Sequence, residues 1–427
     1  MTTRSLSPCL ALRRAGLALM AALLWPLAAL ADPALVFGPS PRALDNRAIF
    51  APAHLPDWQA LADAGIEAVI LNQTFLAATD ILPGPRTRRR DRPEGSYLTD
   101  ADLADLALML ERTGLPLIYA AGLGLETAVC APDLSPQEAG RAQAEDEWAR
   151  GLSRLRRAGI RPAALNFDGP FLRWTRDSTK TGSCAVTSGG GGDAARAART
   201  GLAYMAALQD RAEAAWGAPI GLAVTVNLPN WQVGPLHRIG NPQGPATIDL
   251  SEVLSEVARA LAETPLRIEE VTVDYPYAIL RDDPQMFRGK LQGLLEGMRG
   301  INGPGQAAPG LGIIVNTQSY PNPCLAAQGP DAVPFLPFRR NGAPIGPECI
   351  AAQIGNGDVT PAPDTDVEWM RDTLDYASGL RPGGWIDALL VSGIWPDRLY
   401  LQSWGLNPLS NVWYMAQLRQ LALSGAR

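Results

Sequence analysis

Apolar runs of strand length recur along the chain, and stretches with helical periodicity separate them. Most of the runs are rich in β-branched residues, which favour strands. The eight runs are ALVF (34–37), EAVILNQ (67–73), LPLIYAAG (115–122), PAALNFD (162–168), GLAVTVN (221–227), EEVTVDY (269–275), LGIIVNT (311–317) and DALLVSG (387–393). The helical stretches are Asp57–Ala64, Asp100–Thr113, Pro136–Ala158, Asp193–Trp216, Leu250–Glu263, Pro284–Arg299, Thr365–Leu380 and Asn411–Leu423.

Strands that alternate with helices predict an α/β fold with a parallel sheet, and eight such units predict a (β/α)8 TIM barrel. No linker divides the pattern, so residues 32–427 are predicted to form one domain. Long loops follow the fourth, fifth, seventh and eighth runs, on the face where such barrels build their active sites. A doubly wound open sheet is the alternative fold, but the chain lacks the glycine-rich phosphate turn that usually follows its first strand.

The alternation of side chains along each strand predicts which residues point into the barrel. In the fourth run Leu165 and Phe167 suit the helix side, so Asn166 and Asp168 point inward. The same rule applied to the other strands brings further polar residues to one mouth. These are Asn72, Asn227, Asp274, Asn316 and Ser392. Buried polar groups cost free energy unless they are paired or used, which favours a functional mouth.

Two carboxylates of this set, Asp168 and Asp274, end strands that lie two apart in the predicted barrel. Neighbouring strands are about 4.8 Å apart, so the two Cα atoms are expected about 10 Å apart. Inward-pointing side chains then approach the separations used by retaining and inverting glycosidases. The structural alternative is that each aspartate pairs with an arginine or caps a loop amide.

Aromatic residues are concentrated in the loops beside these acids. Such rings stack on the apolar faces of sugars, although each one alone is more typical of core packing, and the signal is their concentration after the strands. The candidates for substrate binding are Trp174, Trp231, Tyr275, Tyr277, Trp395 and Trp404, together with Asn72, Asn166, Asn227 and Asn316.

The charge of the chain argues against a nucleic-acid partner. The net charge is −6, whereas binding to phosphate backbones needs a basic surface. One basic run, RTRRRDR (86–92), is predicted to be a solvated loop.

The N-terminus has the order of a secretory signal peptide. Arg13 and Arg14 precede an apolar stretch, and small residues at Ala29 and Ala31 follow it. We therefore expect residues 1–31 to be removed and the mature chain to act in the periplasm or outside the cell. An uncleaved anchor is the lesser alternative, and no later segment is predicted to cross a membrane.

Four cysteines remain after this segment: Cys130, Cys184, Cys324 and Cys349. An even number in an exported chain favours disulfides. Three pairings are possible, and the barrel favours Cys130–Cys184 and Cys324–Cys349, because those cysteines fall on neighbouring or shared loops. No C-x-x-C motif is present, so a metal site at these cysteines is not expected.

Other chemistries find little support in the residues available. The chain has two histidines and two lysines, which disfavours metal-dependent hydrolases and Schiff-base enzymes, and it has no G-x-S-x-G motif. We therefore predict that the protein uses no cofactor or metal. The aspartate pair is therefore the main candidate for acid–base catalysis.

The motifs NFDG (166–169) and VDYPY (273–277) in a secreted barrel resemble those of (β/α)8 glycoside hydrolases. In some retaining families of that kind, an aspartate ending the fourth strand is the nucleophile and one ending the sixth is the acid/base. The resemblance implies these roles for Asp168 and Asp274. The chain departs from the large group that uses glutamates after strands four and seven, because Asn316 ends its seventh strand.

The predicted function is hydrolysis of an extracytoplasmic oligo- or polysaccharide. Two alternatives stay open: a non-catalytic carbohydrate-binding barrel, and an assembly protein of the cell envelope.

Overall fold

The computed structural model describes residues 32–41, 43, 45–82, 88–92, 95–122, 134–172, 193–237, 249–317, 364–386, 395–403 and 407–425. By its internal contacts the chain divides into two units, Met1–Asp32 and Pro33–Arg427. The first unit, which includes the predicted signal peptide, lies outside the described residues apart from Asp32. The four cysteines of the predicted disulfides also lie outside them.

Eight parallel strands close into a barrel in the order β1-β10-β9-β8-β7-β6-β5-β2, and helices lie between consecutive strands along the chain. The predicted (β/α)8 barrel is therefore confirmed. The barrel strands are β1 Ala34–Gly38, β2 Ile66–Asn72, β5 Leu117–Ala121, β6 Pro162–Asp168, β7 Gly221–Asn227, β8 Glu270–Asp274, β9 Gly310–Ile314 and β10 Arg398–Gln402.

The helices agree closely with the periodic stretches of the sequence. Thr99 and Ser135 begin two of them with capping boxes. Gly114 ends the helix that Thr99 begins, and Gly217 ends another, both in the left-handed conformation. A five-residue π-helix, Trp148–Leu152, interrupts the predicted helix 136–158. The helices are α1 Leu55–Asp63, α2 Asp100–Thr113, α3 Pro136–Glu147, α4 Ser153–Arg157, α5 Ala194–Trp216, α6 Leu250–Leu261, α7 Tyr277–Asp282, α8 Pro284–Met298, α9 Asp364–Gly379 and α10 Asn411–Gly425.

The eighth barrel strand is not the one that the sequence pattern predicted. Arg398–Gln402 pairs with both β9 and β1 and closes the barrel, so the run 387–393 does not fill this place. That run, including Ser392, lies outside the described residues. The true strand reads RLYLQ and lacks a purely apolar pattern, because its inward side chains Arg398 and Tyr400 bind a buried carboxylate.

The basic run is also more structured than predicted. Arg88–Asp91 forms strand β4, which pairs antiparallel with β3 (Thr79–Leu82). Arg92 is buried and donates hydrogen bonds to the carbonyl oxygens of Thr74, Ala77 and Ser96. The guanidinium of Arg92 therefore holds the chain after β2 in place.

The predicted inward and outward faces are confirmed by two separate cores. A large apolar core lies between strands and helices, and a small one, including Val36, Ile70 and Ile314, fills part of the barrel interior. A polar cluster also lies inside the barrel. Asn166 donates to Thr272 Oγ1 at 3.0 Å and accepts from Thr225 Oγ1 at 2.8 Å.

A second polar cluster inside the barrel explains a glycine on β9. Glu270 accepts hydrogen bonds from Tyr400, Thr272 and Arg398. Glu270 lies on β8 and Tyr400 on β10, and β9 lies between these two strands. A Cβ atom at Gly312 would lie 2.5 Å from Glu270 Oε1 and 2.7 Å from Tyr400 Cε2. The absence of a side chain at Gly312 therefore lets the carboxylate and the phenol meet.

Replacing Gly312 by alanine is expected to lower the free energy of unfolding by about 1–3 kcal/mol, because the added methyl group overpacks this contact. Urea denaturation of the Gly312→Ala variant measures the effect through its midpoint. A midpoint equal to that of the wild type would show that Glu270 and Tyr400 move apart at no cost, contrary to this interpretation.

Candidate active site at the barrel mouth

Asp274 ends β8 and is held at the mouth by two asparagines. Its Oδ2 accepts a hydrogen bond from Asn227 Nδ2 at 2.7 Å, and its Oδ1 accepts one from Asn316 Nδ2 at 3.2 Å. The side chain is 6% exposed. Both donors are neutral amides that end or follow the two neighbouring strands, and no arginine of the described ranges pairs with this carboxyl.

The environment of Asp274 raises its pKa from 3.8 to about 6. Burial is the main cause, and the nearby charge of Asp168 adds to it, while the hydrogen bonds from Asn316 and Asn227 lower the pKa. A carboxyl with such a pKa can hold a proton in mildly acidic solution and release it within the same range. This is the property that general acid–base catalysis requires.

Asp168 ends β6 and shares the mouth with Asp274. In the sheet register it pairs with Thr225, whose β8 partner Thr272 lies two residues before Asp274 on the same inward face. A methyl group at Gly122, which follows β5, would lie 3.8 Å from Asp168 Cβ and 2.8 Å from Gln73 Nε2. Gly122 therefore leaves room for the Gln73 amide beside Asp168.

The turn after β7 orients Asn227, and a buried lysine holds this turn in place. Asn230 donates to Asn227 Oδ1 within the short helical turn Leu228–Asn230. Lys290 of α8 is buried and donates to the carbonyl oxygens of Leu228, Pro229 and Trp231, the last at 2.8 Å. Burial lowers the pKa of Lys290 to about 8. Lys290 therefore fixes the turn that orients Asn227, whose amide donates a hydrogen bond to Asp274.

Asn316 has a free acceptor at the mouth. Its amide nitrogen donates a hydrogen bond to Asp274, and its backbone oxygen accepts one from Tyr277 N at 2.8 Å. Its Oδ1 is buried and has no hydrogen-bond partner within the described part of the chain. An unpaired buried acceptor costs free energy, so this atom is a natural partner for a donor on a bound ligand.

Two of the other predicted polar residues are used in local structure. Asn72 Oδ1 accepts from Thr74 N at 2.8 Å and so caps the turn after β2. Asn166 is 1% exposed, and both ends of its amide are paired within the barrel. These contacts favour support of the mouth over contact with a substrate.

The predicted aromatic residues that the structure describes are packed into the core. Tyr275 is fully buried against Phe287, with 4.8 Å between ring centroids, and Trp231 and Tyr277 are 4% and 5% exposed. Trp395 is partly buried against the same core. This burial favours packing over sugar binding at these four positions. Trp174 and Trp404 lie outside the described residues.

Sequence reasoning missed two side chains near the mouth. Lys290 lies off the strands, but its spacing from Phe287, Leu291 and Leu294 matches the buried face of α8, which was the available signal. The exposed Trp385 follows a glycine pair after α9, where the pattern predicts only a loop.

The described residues contain no group of three His, Cys, Asp or Glu side chains arranged to hold a metal ion. No helix in the described ranges is long and apolar enough to cross a membrane.

By sequence, no family model matches the chain and no curated protein matches it. Among solved structures, it is similar to the PgaB (BpsB) glycoside hydrolase domain from Bordetella bronchiseptica. The identity is 12%, the match covers 92% of this chain and 98% of that one, and the TM-score is 0.42.

Two other solved structures have lower scores. A β-glucosidase is 14% identical over 90% of this chain and 89% of its own, with a TM-score of 0.32. D-psicose 3-epimerase is 14% identical over 62% of this chain and 67% of its own, with a TM-score of 0.31. The similarity to glycoside hydrolases and other barrel enzymes is therefore weak.

Proposed function

We propose that the protein is a glycoside hydrolase that cleaves an extracytoplasmic oligo- or polysaccharide with Asp274 and Asp168. The observation that carries the proposal is Asp274 itself. This buried carboxyl has its pKa raised to about 6, is oriented by two amides, and feels the charge of a second carboxylate at the same mouth. Asp274 and Asp168 end strands on the face where barrel enzymes place their catalytic groups.

Protonated Asp274 would give its proton to the glycosidic oxygen as the bond between that oxygen and the anomeric carbon breaks. The ionised Asp168 would either attack the anomeric carbon or take a proton from the water that attacks it. In the first route, Asp274 would next remove a proton from water, which displaces Asp168 and restores both groups. Asn316 Oδ1 would accept a hydrogen bond from a sugar hydroxyl.

The alternative of a non-catalytic binding barrel depended on aromatic rings at the mouth. Trp231, Tyr275 and Tyr277 are buried in the core and Trp395 is partly buried there, whereas Asp274 has a raised pKa beside a second carboxylate. These observations favour the hydrolase. The extracytoplasmic setting is supported by the signal-peptide pattern of residues 1–31.

A screen of polysaccharides tests the proposal. The wild-type chain would be incubated near pH 5 with hydroxyethyl cellulose, xylan, laminarin, galactomannan, dextran and isolated bacterial envelope glycans, and new reducing ends would be counted. The Asp168→Asn variant is the control. We expect the wild type to release reducing ends from at least one glycan and the variant to release none; equal release by both would contradict the assignment of the site.

A further inference from the structure

One aromatic side chain beside the mouth is exposed to solvent. Among the described residues, Leu108, Val367 and Trp385 are the large hydrophobic side chains that are exposed, and Trp385 is the aromatic one, at 44%. An exposed indole is uncommon unless it has a partner, because its large apolar surface contributes most when it is covered. Its position in the fold indicates what that partner is.

Contacts on one side of the indole fix its orientation. Trp385 Nε1 donates to the backbone oxygen of Asp375 at 3.2 Å, and the ring meets Tyr277 edge-on with 6.3 Å between centroids. The Tyr277 hydroxyl donates to the side chain of the same Asp375. A Cβ atom at Gly379 would lie 2.6 Å from Trp385 Nε1, so this glycine permits the close contact with the end of α9. The indole is therefore ordered before any ligand arrives.

A short chain of contacts joins this indole to the candidate acid. Trp385 touches the Tyr277 ring, and the backbone nitrogen of Tyr277 donates to Asn316 O at 2.8 Å. Asn316 in turn donates to Asp274 Oδ1. Trp385 thus lies on the β8–β9 side of the mouth, outside the shell of side chains that surrounds Asp274.

We infer that Trp385 is an outer binding platform on which a pyranose ring of the substrate stacks, at a distance from the bond that is cleaved. The inference rests on the proposed function and deepens it, because it names a polymer that extends past the mouth as the substrate class. An ordered indole loses little conformational entropy on binding, so the stacking energy is available for affinity. A substrate too short to reach Trp385 would not gain it.

Affinity electrophoresis in gels that contain the polysaccharides of the screen tests the inference. The Asp274→Asn chain serves as the background, so that the glycan is not degraded during the run. Three proteins are compared: this background, the background with Trp385→Ala, and the background with Val367→Ala. Val367 is a matched control, because it is also exposed and apolar and lies near the start of α9.

Trp385→Ala is expected to raise the dissociation constant for the bound polysaccharide about tenfold, while Val367→Ala leaves it unchanged. In the otherwise wild-type chain, Trp385→Ala should raise KM for the polymer and leave kcat unchanged.

If Trp385→Ala binds as tightly as the background to a glycan that the wild type cleaves, the platform is refuted and the hydrolase stands. If the wild type binds a glycan without cleaving it and Trp385→Ala weakens that binding, the hydrolase is refuted and the platform stands. If no glycan is bound or cleaved, both are refuted.

Discussion

Replacing Asp274 by asparagine is expected to lower kcat/KM for the polysaccharide by about 10²–10⁴-fold, the contribution of a positioned general acid. The substitution keeps the shape of the side chain but removes its proton. The loss should be smaller for an aryl glycoside with a good leaving group, because such a group departs without needing the proton. Steady-state kinetics on both substrates measure this difference.

Asp366→Asn is the matched control for this experiment. Asp366 is also buried with its pKa raised to about 6, but it lies on α9 and accepts hydrogen bonds from Asn407 Nδ2 and Leu409 N. If the acid assignment is right, the folded Asp366→Asn variant keeps the wild-type kcat/KM. An equal loss in both variants would mean that buried carboxyls matter here for stability alone.

The pH dependence of kcat/KM should have an alkaline limb near pH 6. Asp274 acts as an acid in its protonated form, and its pKa is raised to about 6. Above that pH the protonated fraction falls, so kcat/KM should drop about tenfold for each further pH unit. The Asn316 hydrogen bond favours the ionised form, so its removal in Asn316→Ala should raise the pKa of Asp274 and move the limb to higher pH.

Asn407→Ala provides the control for the shift, since it removes the same kind of amide hydrogen bond from Asp366. We expect its profile to keep the wild-type limb. If the alkaline limb stays in place in Asn316→Ala, or moves equally in Asn407→Ala, the group that titrates in the pH profile is not Asp274.

Alternation along the strands accounts for most of what the sequence predicted correctly. Because neighbouring side chains on a strand face opposite ways, the apolar positions of β6 and β8 fix Asn166, Asp168 and Asp274 as inward-pointing. The same rule explains why Tyr275 packs in the core. It directly follows the inward Asp274, so it faces the helices and packs against Phe287.

The eighth strand and the hydrogen-bond partners of Lys290 could not be predicted from local pattern, because contacts distant in sequence decide them. Tyr400 is tolerated inside the barrel, and Arg398 at its exposed end, since both bind Glu270, which is 130 and 128 residues away respectively. Lys290 is tolerated on the buried face of its helix since three carbonyl oxygens of the turn after β7 accept hydrogen bonds from its ammonium group. Neither partner set is visible from the neighbouring residues in the chain.

The central claim is that water attacks an anomeric carbon at this mouth, with Asp274 as proton donor. Its most direct test is cleavage of a susceptible polysaccharide in water enriched in the heavy oxygen isotope, followed by mass spectrometry of the products. The account predicts one heavy oxygen at each new reducing end from the wild type, and new reducing ends formed about 10²–10⁴-fold more slowly by Asp274→Asn. Products that lack the label at the reducing end, or equal labelling by the variant, would contradict it.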